Sequence, residues 1–167
     1  MEVAVPQVSR VANVEVGKLF VLVGAGRQSA VCLRAAYELS PEEEDEANRV
    51  IPLWWPSDPS SVNVAIYARS IPGDAVVLDG ARIEVNPLSA VAGGIGSLSN
   101  VYARDGRLYI PHAYNGRFSG LVDVETGIIL PSVSGSYIGF SEWRITVPWE
   151  TTDRRVILPQ PADNLDD

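Results

Sequence analysis

The stretch from Ser99 to Pro131, SNVYARDGRLYIPHAYNGRFSGLVDVETGIILP, sets the tightest limit on what this chain can fold into. Three turn signals punctuate it: Asp105-Gly106, Asn115-Gly116 and Glu125-Thr126-Gly127. The runs between them are rich in Val, Ile, Leu, Tyr and Phe. Asn-Gly and Asp-Gly accept the positive φ angles of a type I′ turn, whose twist matches that of the flanking strands. The stretch therefore reads as a four-strand antiparallel meander. Other short runs of period two lie on both sides of it. The expectation is an all-β domain, an antiparallel sandwich or barrel with jelly-roll-like wrapping as the most specific form, and with at most one or two short helices.

Lys18–Val23, KLFVLV, reads as a buried strand. Ala30–Leu39 alternates, with Val31, Leu33, Ala35, Tyr37 and Leu39 on one side and Cys32, Arg34, Ala36 and Glu38 on the other. That is a half-buried strand, although Cys32, Ala35, Ala36 and Leu39 also fit a helical stripe. Ser40-Pro41-Glu42-Glu43 has the N-cap, the N1 proline and the capping-box glutamate of a helix start, with an exposed acidic loop as the rival. Val3–Val16 holds Pro6 and reads as edge strands, and Arg49–Trp55 holds Pro52, which belongs at an edge or a bulge. Val62–Ser70 alternates as a strand. Ala75–Leu78 and Arg82–Val85 flank Asp79-Gly80 as a hairpin. Leu88–Ser99 is rich in small residues and reads as a flexible loop or a close-packed crossover. Tyr137–Trp149 reads as one long strand broken before Pro148, and Val156–Leu158 as a last short one. Residues 1–158 are expected to form a single β domain, with 159–167 as an acidic C-terminal tail.

With 46% hydrophobic and 20% charged residues in 167, the chain has enough apolar material for a sizeable core. Its longest apolar run, Leu19–Ala25, is too short to span a bilayer, and the N-terminus lacks the basic and apolar regions of a signal peptide. Cys32 is the only cysteine, which rules out an intrachain disulfide and fits a reducing compartment. The expected location is cytoplasmic or particle-associated. A net charge of −8 disfavours direct nucleic-acid binding, since phosphates select for Lys and Arg. It fits plain solubility or a basic partner.

Each motif suggestive of chemistry has a simpler reading. LFVLVGAGRQSA, Leu19–Ala30, resembles the strand and glycine turn of a dinucleotide site, but Ser29 replaces the third glycine and hairpins replace βαβ units around it. A glycine-rich hairpin loop is expected there. His112, the only histidine, pairs with Ser119 if the Asn115-Gly116 turn is regular, and Asp123 shares their face. Asp123 then falls opposite Leu108, too far along the strand to orient the ring, so His112 is expected to be a packed core residue. One His and one Cys exclude the common zinc sets. Carboxylate groupings remain, Glu142 with Glu150 and Asp153, or Asp74 with Asp79, without recognisable loop spacing. No catalytic residue, cofactor or metal ligand is assigned.

The remaining signal is for contact. Lys18 is the only lysine against twelve arginines, and arginine is enriched at protein interfaces because its guanidinium is weakly hydrated and bonds in a planar fork. A genome rich in G and C biases composition the same way. Trp54 and Trp55 are adjacent and point to opposite faces if extended, so one is exposed at a groove or interface, or both are buried against different surroundings. The interface candidates are Trp54, Trp55, Arg104, Arg107 and Arg117. The leading functional reading is a non-enzymatic structural or interaction subunit of a larger assembly, such as a viral or phage coat component, with protein partners through self-assembly or other subunits. An acidic module that neutralises a basic protein, as an immunity protein or inhibitor does, comes second. A carboxylate-dependent hydrolase comes third.

Overall fold

The computed structural model describes residues 7–24, 29–38, 47–131, 133–148 and 155–158. Their strands, in chain order, are β1 Val8–Arg10, β2 Leu19–Val23, β3 Ala30–Tyr37, β4 Asn48–Trp54, β5 Ile66–Tyr67, β6 Asp74–Val77, β7 Arg82–Val85 and β8 Ala90–Gly93. They continue as β9 Val101–Arg104, β10 Arg107–Tyr114, β11 Arg117–Asp123, β12 Ile128–Leu130, β13 Tyr137–Phe140, β14 Trp143–Pro148 and β15 Arg155–Leu158. The chain is all-β and sandwich-like. A twelve-stranded sheet runs β1-β6-β2-β3-β12-β11-β10-β9-β13-β8, with β4 and β5 branching from β3, and a second sheet runs β15-β14-β7. The large sheet is not a closed barrel. A single parallel bridge from Val64 to Ala113 ties the β4–β5 branch back to β10.

The meander forms as the turns dictate. Strands β9 to β12 follow one another antiparallel, and Asp105, Gly106, Asn115 and Gly116 all take the positive φ angles of their turns. Its last strand, β12, meets β3 in parallel, Ile128 beside Ala36, and so joins the two halves of the sheet. Ile83, Trp143 and Ile145 of the small sheet and Leu33, Ile51, Ile110, Val122 and Ile129 of the large one share a single buried cluster. A second cluster, with Phe20, Cys32 and Val77, covers the other face of β2, β3 and β6, and a third gathers Tyr102, Tyr109, Leu121 and Tyr137. Pro52 sits beside a β-bulge, where β3 steps from Trp54 to Pro52 between Val31 and Cys32.

Five expectations are corrected. Ala75–Leu78 and Arg82–Val85 do not pair with each other. Both edges of β6 are taken by β1 and β2, so the turn at Gly80 carries the chain to the other sheet, where β7 pairs with β14. Val62–Ser70 is not one strand. Asn63 takes a φ of 59°, which ends extension, and only Ile66–Tyr67 pairs with β4. Leu88–Ser99 is not all loop, because Ala90–Gly93 pairs antiparallel with β13. Tyr137–Trp149 is divided at Ser141 and Glu142, with β13 in the large sheet and β14 in the small one. His112 faces Gly120 rather than Ser119, because a bulge between His112 and Ala113 shifts the register by one and places Asp123 opposite Tyr109. The helix start at Ser40 and the acidic tail lie outside the described residues.

Candidate interaction surface

Strand geometry separates the candidates. Trp54 packs against the main cluster and Trp55 against the second, as neighbours on an extended strand must. Both are partly buried. Arg104 and Arg107 flank the Asp105-Gly106 turn, while Arg117 is exposed at the Asn115-Gly116 turn, at the other end of β10. Arg104 pairs with Asp105 at 3.3 Å, donates to the Ser134 carbonyl and lies 5.3 Å from the Tyr137 ring centroid. Arg107 donates to Asp123 at 2.8 Å. Arg104 and Arg107 are therefore cross-strand neighbours, and Arg117 sits at the opposite end of the hairpin from them.

Asp123 is occupied elsewhere than at His112. Its other oxygen accepts from the amides of Glu125 and Thr126. His112 is fully buried, its ring edge-on to Tyr37 at 6.3 Å, and neither of its nitrogens finds a hydrogen-bond partner among the described residues. Burial drives its pKa down to about 4. The Ala113 backbone pulls weakly the other way and the Arg49 charge adds to the decrease. This is a neutral core histidine. Burial likewise pushes the Cys32 thiol up to about 12, which removes thiolate chemistry there. Residues 25–28 of the glycine motif lie outside the described set, but the strands on either side pair antiparallel, Leu22 with Ala30, so the motif spans a hairpin. Glu142 accepts a hydrogen bond from Asn86, Asp74 opens β6 and Asp79 follows its other end, while Glu150 and Asp153 are outside the described residues. Among the described residues no group of three or more His, Cys, Asp or Glu side chains is placed to hold a metal ion, and no helix is long and apolar enough to cross a membrane.

The surface that stands out is the sheet edge at β8, which the residue-by-residue reading missed. All four residues of β8 are exposed, and no strand among those described pairs with its outer edge. Val91 lies beside Gly139 and Ala92 beside Ile138, so Val91 and Ile138 project from opposite faces. Leu88 is 95% exposed, Val91 58% and Ile138 49%. The available signal was charge. The two longest runs in the chain without a charged residue are Val85–Ala103 and Thr126–Ser141, and β8 and β13 come from these two runs. Compared with family models, with curated proteins and with solved structures, the chain matches none.

Proposed function

We propose that this chain is a non-enzymatic structural or interaction subunit of a larger protein assembly, and that it joins a second copy of itself through the β8 edge. The observation that carries this reading is a sheet edge left unpaired among the described residues and built from the two longest uncharged runs of a chain with net charge −8. An unpaired edge offers a row of N–H and C=O groups to another strand, and exposed edges are ordinarily blunted with charge, proline or a covering loop. None of the four residues of β8 is charged or a proline. Two acidic copies repel over most of their surfaces. They meet at lowest electrostatic cost where charge is absent, which argues for a second copy as the occupant. Antiparallel pairing of β8 with β8 would join the two large sheets, with Leu88, Val91 and Ile138 widening the contact beyond four residues.

Size-exclusion chromatography with light scattering tests this over a range of protein concentrations. The expected mass is a multiple of the 18.0 kDa chain. Val91→Lys, at an exposed position, should return the monomer with an unchanged circular dichroism spectrum. A wild-type monomer at every concentration, or an oligomer unaffected by Val91→Lys and by Ala92→Lys, would overturn the reading.

A further inference from the structure

The margin of the main core opens to solvent in a groove of about 500 Å³ between the start of β2, the corner from β6 to β7 and the Asp105-Gly106 turn. Its floor is apolar. Leu78, Ala81, Leu108 and Val124 line it, and all four are partly buried residues packed against the main cluster. Its rim carries Lys18, Arg82 and Arg107 against a single acid, Glu125. Among the lining residues cations outnumber acids, and the rim includes the only lysine of a chain of net charge −8; Lys18 also lines an adjoining cleft with Glu15 and Asp79. Lys18 and Arg82 are exposed and make no ion pair among the described residues, whereas Arg107 is held by Asp123 at 2.8 Å. Three glycines with positive φ, Gly17 at 86°, Gly80 at 70° and Gly106 at 76°, shape the lip. The turns require them, and the effect at Gly106 is to leave the space where a Cβ would stand open.

We infer that this groove binds a small organic anion with an apolar body and one acidic head, a carboxylate or a phosphate. The volume lies within the range of ordinary small-molecule sites, which combine an apolar lining with a few placed polar groups. The apolar body covers Leu78, Leu108 and Val124. The head pairs with Lys18 and Arg82, which make no ion pair among the described residues. Arginine suits either acid through its forked donors, and lysine adds a mobile point charge.

The test is amide NMR of the full chain, titrated with octanoate, with octyl phosphate and with inorganic phosphate. Octanoate, octyl phosphate or both should shift the amides of Gly17, Gly80 and Gly106 saturably, and which of them does so names the head group. Inorganic phosphate, which lacks the body, should bind at least tenfold more weakly. Arg82→Gln and Lys18→Met, both at exposed positions, should together weaken the better ligand at least tenfold, while Val91→Lys leaves it unchanged. Three results would overturn the inference: no saturable shift, shifts centred on β8, or equal affinity in the Arg82→Gln/Lys18→Met double variant.

Discussion

Strands β3 and β8 both begin Ala-Val, and they meet opposite fates. In β3, AVCLRAAY, every residue but Tyr37 is buried, whereas in β8, AVAG, every residue is exposed. The difference lies in position within the sheet. One edge of β3 pairs with β4, the other pairs first with β2 and then with β12, and buried clusters cover both faces. Strand β8 ends the sheet. Charge is distributed the wrong way round for a simple rule of polar outside and apolar inside. The covered strand holds Arg34, 4% exposed, which donates to the carbonyls of Val14 at 3.1 Å and Arg49 at 3.0 Å, and burial lowers its pKa. The bare edge holds no charge at all. A guanidinium can be buried where backbone carbonyls receive its donors. An edge without charge, by contrast, is open to another strand.

The largest test of this contrast is at the centre of β3. Leu33→Ala removes a fully buried side chain from the main cluster and should lower the unfolding free energy by about 2–5 kcal/mol, read from urea denaturation. A loss under 1 kcal/mol would mean that β3 is not the packed centre. Next comes the buried histidine. The folded pKa of His112 is about 4, below the ordinary 6.5, so the unfolded chain takes up the proton first. Stability is then full above pH 6.5 and falls as the pH drops toward 4. Between pH 7 and pH 5 this contribution should be roughly 2 kcal/mol, seen as a stability loss in wild type that His112→Leu does not share. Equal losses in the two proteins would place His112 in contact with water. The smallest effect is expected at the edge, where Ala92→Ser, on an exposed strand, should change the stability of the monomer by no more than about 0.5 kcal/mol. A larger change would show that β8 is covered within its own chain.

The meander was legible because its information is local. Asp105-Gly106 and Asn115-Gly116 specify both the turn and the pairing of the strands beside them, and four strands follow in order. Even there the bulge at His112 escaped notice, since an extra residue on one strand leaves no mark in the alternation. Asp79-Gly80 carries the same kind of turn signal and does not make a hairpin, because β6 had no free edge left for β7. The candidate surfaces were legible only in part. Arg107 was singled out for its residue type and does line the groove, but Lys18 and Arg82 come from distant parts of the chain and reach it through the corner between the sheets.

The amino-acid sequence by itself determined the class of fold, the meander, the strand at Ala30–Tyr37 and the division of Trp54 from Trp55, all consequences of side-chain alternation and turn chemistry within a few residues. Only the tertiary structure decided which strands became centre and which became edge, that the chain changes sheets at Gly80 and at Ser141, and that two uncharged runs meet at β8 and β13. Those outcomes depend on which backbone edges are already paired when a strand is placed. Pairing between segments far apart in the chain leaves no local periodicity to read.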